Sequence, residues 1–425
     1  MNQSRRALAG GILLVGVATM LANASSYLLS MFAARWMSVP EYGALGAMLS
    51  VSIIGGTAAL GVQAVAARRA AAGGDDAAQE RSAIVALGYR LTALIAVLGP
   101  VIAWPLAALL AVPPAAVLLT LLAVAASIPG FGALGLVQGE ERHRHYGYAY
   151  AAIGVLRAVG GVVALAIRPD VTSACAGILV GSIAGTVAAI WFAGPVRPGR
   201  RLTSLLVREL AATTGTLVAL YALSNTDLLL ARIFLDGHAS GEYAMGALIA
   251  KIAFFLPYAV ITVFFPKMSA GTMRHAFTVA VGMSAAIGAV ATLGTALLAG
   301  PIVWIIGGDK YADFASLAWL FALEGSLFAI LQVILYAGFS SRARLLGILT
   351  VVGLVAQVVV VSLWTHQSVA SIAVTSSVIA AVLVVVGMIV ELRRSGGANQ
   401  SGDEPAASAE FPTPREQRAD TTDPR

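Results

Sequence analysis

Long apolar stretches follow one another along most of the chain, and short polar segments separate them. A helix needs about 20 mostly apolar residues to cross the hydrocarbon core of a bilayer. The sequence contains twelve segments of that size, which predicts an all-α, polytopic membrane protein. The predicted spans are residues 10–33, 43–66, 86–111, 115–137, 147–167, 172–193, 207–231, 242–265, 276–299, 313–338, 344–364 and 368–391.

Composition excludes several classes of protein. Of the 425 residues, 59% are hydrophobic and 11% are charged, whereas soluble proteins carry about 25% charged residues. The net charge of +6 comes from basic residues scattered between apolar runs, and not from the basic patch that nucleic-acid binding requires. Cys175 is the single cysteine, so an intrachain disulfide is excluded. We therefore expect a membrane protein with no nucleic-acid partner.

Alternate loops differ in their content of Lys and Arg, which sets the orientation of a membrane protein because basic loops stay in the cytoplasm. With a cytoplasmic N-terminus, the outer loops receive only Arg35, Arg168, Arg232 and Lys310, and the other loops receive most of the remaining basic residues. This asymmetry predicts that both termini are cytoplasmic. The excess of arginine over lysine and the abundant alanine are typical of a bacterium with GC-rich genes, so we expect a bacterial plasma membrane.

Two similar junctions divide the chain into halves. Residues 34–48 and residues 231–251 each begin with Ala-Arg at the end of an apolar helix, continue through a short loop and reach Glu-Tyr at the start of the next helix. Repeats with an even number of helices share their membrane orientation. We therefore predict two six-helix bundles, residues 1–200 and 201–394. The polar residues 395–425 predict a disordered cytoplasmic tail.

The first junction, with Arg35 followed by Glu41, Tyr42 and Gly43, resembles bacterial polysaccharide-biosynthesis membrane proteins. These proteins belong to the multidrug, oligosaccharidyl-lipid and polysaccharide exporter superfamily. Further residues that carry the resemblance are Asn225, Asp227, Arg232, Gly241, Glu242, Tyr243, Pro266 and Gly307 to Tyr311.

This resemblance implies two bundles around a central cavity that opens alternately to each side of the membrane. It implies an oligosaccharide flippase whose cargo is an undecaprenyl-diphosphate-linked glycan, and it implies no cofactor. The expected partners are this cargo, membrane lipids and a coupling H+ or Na+ ion. We expect a monomer, with a polysaccharide-assembly complex as an alternative setting.

Four ionisable residues lie deep in predicted spans, where each costs about 2.5 to 3.5 kcal/mol on insertion scales and usually faces a wet cavity. They are Arg157, Asp227, Lys251 and Glu324. Arg157 and Lys251 are candidates for binding the anionic cargo. Asp227 and Glu324 are candidates for ion coupling. Each also has a structural interpretation, as an ion pair of Asp227 with Lys251 or of Arg157 with Glu324.

Three further residues are candidates for cargo contact. Tyr150 shares a helical face with Arg157 and can stack against a sugar ring. Arg35 and Arg232 close their spans at the outer side, where a structural role at the bundle mouth is the favoured interpretation and cargo contact is the alternative.

Two other functions fit the sequence less well. A cation-coupled multidrug exporter of the same superfamily favours acidic walls, whereas these spans carry two bases and two acids. A membrane glycosyltransferase or ligase needs catalytic groups in a sizeable loop or domain, and the predicted outer loops are short. We therefore expect a transporter and not an enzyme.

Overall fold

The computed structural model describes residues 2–73, 77–194, 196–199, 204–256, 273–338 and 343–397, and these residues form thirteen α-helices and no strand. Their bounds are α1 Asn2–Trp36, α2 Val39–Ala72, α3 Ala77–Leu110, α4 Pro114–Gly139, α5 His143–Ile167, α6 Val171–Ala193, α7 Ser204–Phe234, α8 Gly237–Phe255, α9 Met273–Leu297, α10 Ala299–Gly307, α11 Ala318–Gly338, α12 Ala343–Val360 and α13 Val369–Gly397.

The all-α membrane fold predicted from the sequence is confirmed. Within the described residues, eleven helices are long and apolar enough to cross a bilayer, and each coincides with a predicted span. The predicted eighth span, 242–265, coincides with α8, whose described part has 19 residues. Residues 257–265 of that span, Pro266 and residues 398–425 of the predicted tail lie outside the described residues. The division at residue 200 also falls outside them and stays a prediction.

Short capped junctions hold consecutive helices as antiparallel pairs. Ser38 caps α2 by accepting a hydrogen bond from the Glu41 amide at 3.4 Å. Asp170 caps α6 through the Ser173 amide at 3.0 Å, and Asp236 caps α8 through two amides. A side-chain oxygen at this position satisfies backbone donors that the helix leaves open. These caps explain how loops of only a few residues reverse the chain.

One helix was not predicted. Residues 299–307 form α10, which the sequence analysis placed at the end of a span and in the following loop. Its nine residues are too few to cross a bilayer. Trp304 and Ile305 near its C-terminal end are exposed, while the carbonyl groups of the same residues bind Arg35. The hydrophobicity of this segment alone therefore did not show where the membrane-spanning helix ends.

Glycines allow α5 and α6 to pack with their backbones in contact. A β-carbon on Gly160 or Gly177 would overlap the carbonyl oxygen of the other glycine, and one on Gly181 would overlap the Leu156 carbonyl oxygen. Small residues serve this purpose in membrane helices, where close packing replaces the hydrophobic driving force. The α5–α6 pair therefore depends on these residues being glycine.

The two repeated junctions pack against each other. Near the start of α2, a β-carbon on Gly43 would lie within 3 Å of Ser240 and Gly241, and one on Gly241 would overlap the Val39 carbonyl oxygen. Gly46 makes the next contact, with Ala244 of α8. The residues that identify the repeat in the sequence thus form the contact between α2 and α8, where the first half of the chain meets the second.

We predict that Gly181→Ala destabilises the protein, because the added methyl group overlaps the backbone of α5. Overpacking of this kind costs about 1 to 3 kcal/mol. The measurement is the thermal unfolding midpoint of the purified protein in detergent. Gly282→Ala in α9 is the matched control, since its β-carbon meets nothing within 4 Å. Equal midpoints for the two variants would contradict the packing interpretation.

Candidate functional site

A cavity of about 270 Å³ lies between helices of the two halves. Residues of α1, α2 and α5 form one side, and residues of α7, α8 and α11 form the other. Apolar side chains such as Leu49, Leu248 and Phe328 make up much of its wall. We call it the central cavity. Its ionisable lining residues are Tyr27, Arg157, Tyr221, Asp227, Lys251 and Glu324.

The four deep charges named from the sequence therefore line one cavity, which the sequence could not show. Residues from three separate regions of the chain meet there. Tyr221 and Ser224, which share a helical face with Asp227, also line it. Ser30, the first-half residue that corresponds to Asp227 in the repeat, lies on the opposite side. The second half of the chain therefore contributes both acidic and basic side chains to the cavity. The first half has the uncharged Ser30 at the position that corresponds to Asp227.

Asp227 and Glu324 lie against each other. Asp227 Oδ2 accepts a hydrogen bond from the Tyr243 hydroxyl at 2.9 Å. The Glu324 carboxyl contacts both the Asp227 carboxyl and the Ser376 hydroxyl. Asp227 Oδ1 and Glu324 Oε2 are buried and have no hydrogen-bond partner among the described protein atoms. Two adjacent carboxylates repel each other, so this arrangement favours one bound proton or cation.

Polar side chains from neighbouring helices hold the turn of α7 that carries Asp227. In the amide orientation that satisfies both of its groups, Gln357 of α12 donates to the Leu223 carbonyl at 3.2 Å and accepts from the Asp227 amide at 3.3 Å. Two residues before Asp227, Asn225 Oδ1 accepts a hydrogen bond from the Ser50 hydroxyl of α2 at 3.3 Å. The acidic pair is therefore linked to both halves through fixed polar contacts.

The alternative interpretation of Asp227 and Lys251 as a structural ion pair finds no direct contact between their side chains within the described residues. Asp227 binds Tyr243 instead, and the Lys251 ammonium group acts on it only through longer-range electrostatic attraction. The backbone carbonyl of Lys251 accepts a hydrogen bond from Tyr27 of α1 at 3.4 Å. The Lys251 side chain thus lies on the cavity wall near Asp227 without a direct contact to its carboxyl group.

The structural alternative for Arg157, an ion pair with Glu324, is likewise not formed among the described residues. Arg157 Nη2 donates to Ser52 Oγ at 2.8 Å, which holds the guanidinium on the side of the first half. There it lines a second cavity of about 160 Å³, formed by α1, α2, α4, α5 and α6. We call this the N-half cavity. Arg157 therefore lies at the boundary between two cavities.

Tyr150 lines the N-half cavity and not the central one. Its ring stacks on that of Tyr146 with centroids 5.9 Å apart. The glycines on the same helical face have the structural role that the sequence allowed as an alternative: Gly154 packs on Ala22, and Gly161 on Leu29. This face of α5 therefore serves both helix packing and the lining of a cavity.

Arg35 and Arg232 lie away from the central cavity, at the end of the molecule where α1, α3 and α7 terminate. We call it the Arg232 end. Arg35 donates to the Trp304 and Ile305 carbonyls at 2.7 to 3.0 Å. Arg232 donates to the Leu110 and Ala111 carbonyls at 2.9 and 2.8 Å. Each arginine thus joins one half of the chain to the end of a helix in the other half.

Lys310 completes this set. Its ammonium group donates to the Arg35 carbonyl at 3.1 Å and to the Met37 carbonyl, at the end of α1. Removal of this group from solvent lowers the pKa of Lys310. The neighbouring Tyr311 packs edge-on against Tyr42 with ring centroids 6.2 Å apart. The Arg232 end is therefore closed by cations on helix C-termini and by buried aromatic rings.

At the opposite end, ion pairs join α2 to α7 and to α3. Glu209 of α7 binds Arg68 at 3.2 Å and Arg69 at 3.0 Å, both on α2. Arg68 also donates to Thr213 at 2.7 Å, and Arg69 pairs with Glu80 of α3 at 3.4 Å. We call it the Glu209 end. In the sequence these arginines are recognisable only as part of the basic loops that predict orientation, because pairing across distant helices leaves no local pattern.

Tyr243, Ser376 and Gln357 were also missed as partners of the acidic pair. Tyr243 stands in the repeated Glu-Tyr junction, which identifies it as part of the repeat but not as a partner of Asp227. Gln357 is fully buried in an otherwise apolar span. A polar amide in hydrocarbon needs a hydrogen-bond partner. Its presence in an apolar span therefore indicates a polar contact between helices, which a search for charged residues alone does not find.

No protein-family model matches the sequence, and no curated protein matches it. Solved structures do match. The chain is similar to the lipid II flippase MurJ in an inward closed conformation, with a TM-score of 0.71 and 12% sequence identity over 90% of this chain and 87% of that chain.

Two other structures extend the comparison. One is an inward-facing multidrug resistance MATE family transporter of the MOP superfamily, with a TM-score of 0.67 and 12% identity over 88% of this chain and 95% of that one. The other is a MOP superfamily transporter from Pyrococcus furiosus whose binding pocket has reversed polarity, with a TM-score of 0.56 and 14% identity over 92% and 96%. The chain therefore has the helical-bundle fold of MOP superfamily transporters.

Proposed function

We propose that this protein is a flippase that moves a lipid-linked oligosaccharide from the cytoplasmic to the outer leaflet of a bacterial plasma membrane. The observation that carries the proposal is the central cavity, to which Arg157 contributes a cation from the first half and Lys251 one from the second. The cargo class is a glycan on an undecaprenyl-diphosphate carrier. The likeness to a lipid II flippase supports a lipid-linked cargo.

The diphosphate is the difficult part of such a cargo, because hydrocarbon offers no hydration for its charge. Arg157 can bind phosphate oxygens through its planar guanidinium, and Lys251 supplies a compact positive charge. Tyr27 and Tyr221 offer rings for sugar stacking on the same wall. The membrane potential assists outward movement of an anion by about 2.3 kcal/mol per charge for each 100 mV.

Alternating access requires that the two ends of the cavity open in turn. We propose that the six-helix halves, residues 1–200 and 201–394, separate at one end while they stay joined at the other. The contacts that must break differ between the ends. Those at the Arg232 end are hydrogen bonds to backbone carbonyls, and those at the Glu209 end are side-chain ion pairs.

Ion coupling is the proposed role of Asp227 and Glu324. Their contact, and the two buried oxygens without a protein partner, suit one bound H+ or Na+. Binding of that ion neutralises a negative charge near Lys251. The positive wall of the central cavity then attracts an anion more strongly, which is how an ion at one site can change the affinity for cargo at another.

A cation-coupled multidrug exporter is the second candidate. The same acidic pair favours it, since organic cations bind to acidic walls, and the fold is shared with MATE transporters. Lys251 and Arg157 argue against it, because they place two positive groups on the cavity that an organic cation would have to enter. The charge of the transported molecule therefore separates the two functions.

Lys251→Glu, in protein reconstituted into liposomes, tests the charge of the cargo. We expect wild type to move fluorescently labelled undecaprenyl-diphosphate oligosaccharides across the bilayer, and the variant to do so at least about tenfold more slowly, because the loss of a charged contact costs 1.5 to 3 kcal/mol. The measurement is protection of the label from an impermeant quencher. Arg168→Glu, a charge reversal at a position 79% exposed, is the control. Faster export of a cationic dye by Lys251→Glu, with no oligosaccharide transport by wild type, would favour the multidrug exporter.

Another prediction concerns the acidic pair. Asp227→Asn and Glu324→Gln remove the group that binds the coupling ion, so oligosaccharide transport should no longer respond to an imposed H+ or Na+ gradient. The same flipping assay, run with and without each gradient, measures the response. Asp309→Asn, in the exposed turn after α10, is the control and should respond like wild type. A full gradient response in both pair variants would contradict ion coupling at this site.

A further prediction concerns closure. Glu209→Gln removes two ion pairs between α2 and α7 and should favour the state open at the Glu209 end by about fivefold, since a partly exposed ion pair contributes up to about 1 kcal/mol. The measurement is the labelling rate of Ser224→Cys, in the central cavity, by an impermeant maleimide added on that side. Glu80→Gln removes an ion pair within the first half and should leave this rate unchanged. Equal rates in the two variants would exclude Glu209 as part of the closure.

A further inference from the structure

Arg157 lines the N-half cavity as well as the central one. Its hydrogen-bond acceptor, Ser52, lines that cavity and is not part of the central one. Asn23 and Ser26 of α1 line both cavities beside it. The guanidinium therefore lies at the boundary between the cavities, and its Nη2 atom lies on the wall of the N-half cavity.

The charge of Arg157 is not balanced within the described part of the chain. No carboxylate there forms an ion pair with it, and the titratable group that acts on it electrostatically is the Cys175 thiol. A free thiol is mostly protonated and neutral at pH 7. Asp227 and Glu324 face each other and the neighbouring Tyr243 and Ser376. A guanidinium has five N–H donors. Within the same described residues, one of those of Arg157 donates to a side chain, the Ser52 hydroxyl.

An unbalanced guanidinium inside a membrane protein is costly, because the surrounding protein and lipid solvate its charge poorly. The cost falls when an anion lies beside it. The N-half cavity has the necessary space: about 160 Å³ holds a halide ion with several waters, since a water occupies about 30 Å³ in the liquid. Because one cation faces the cavity, one negative charge balances it.

We propose that the N-half cavity binds a small monovalent inorganic anion, chloride under physiological conditions, at the Arg157 guanidinium. The Asn23 amide and the polar walls at Ser127 and Ser182 complete its surroundings. The Ser127 and Ser182 hydroxyls donate to backbone carbonyls of their own helices, so Arg157 is the main donor to the anion. Removal of Arg157 should therefore remove the site.

This site goes beyond the proposed function, because it is occupied in the protein without cargo. The bound anion balances Arg157 during the part of the cycle in which no diphosphate is present. Chloride binding is measured without lipid-linked oligosaccharide and without any ion gradient. Its failure would therefore leave the proposed transport untouched, and a failure of transport would leave the chloride site to be judged separately.

The experiment uses the full chain purified in detergent in sodium gluconate. Radioactive chloride is added, and its binding is followed by scintillation proximity with unlabelled sodium chloride as competitor. We expect saturable binding of one chloride per chain. Arg157→Gln should weaken it by about tenfold or more, the factor that loss of a charge-assisted hydrogen bond produces. Arg157→Lys keeps the charge without the planar guanidinium and should bind chloride with intermediate affinity.

The control is Arg168→Gln, an arginine at the end of α5 whose side chain is 79% exposed and paired with Asp170. It should bind chloride like wild type. A second measurement distinguishes loss of the site from poor folding of the variant. Replacing gluconate by chloride at constant ionic strength should raise the thermal unfolding midpoint of wild type and leave that of Arg157→Gln unchanged. Absence of saturable chloride binding by wild type, or equal affinity in wild type and Arg157→Gln, would overturn the proposal.

Discussion

The structure depends on one constraint: the hydrocarbon core of a bilayer offers no water to polar groups, so the protein itself must satisfy each buried charge and polar group. The last carbonyls of a helix lack intrahelical partners and carry a partial negative charge. Arg35, Arg232 and Lys310 donate to such carbonyls, and each does so across the boundary between the halves. The contacts that satisfy these helix ends are therefore the same contacts that join the two halves at the Arg232 end.

The same constraint bears on the buried charged residues, which the two halves place in different surroundings. Their repeated junctions meet through small residues, with Gly43 against Gly241. The cavities are not symmetric. The first half places Arg157 beside hydroxyl groups, whereas the second places Asp227 against Glu324 with Lys251 nearby. The basic side chains thus come from both halves, whereas both acidic side chains come from the second.

The candidate site could be predicted from the sequence only in part. Arg157, Asp227, Lys251 and Glu324 were recognisable because an ionisable residue in an apolar span is costly and therefore rarely without a role. Their partners were not recognisable. Asp227 binds Tyr243 and not Lys251, a choice that depends on how the neighbouring helices α7 and α8 are rotated. Helical spacing defines the face of one helix, but it does not define which face of the next helix it meets.

The sequence by itself determined that the chain is an all-α membrane protein, where most of its helices lie, and which junctions repeat, because hydrophobic length and local capping are properties of short segments. Only the tertiary structure decided which residues share a cavity and which close its ends. Arg35 and Arg232 bind backbone carbonyls from the other half, and carbonyls carry no signal in a sequence. Contacts to the backbone and contacts between distant helices arise only when the helices pack.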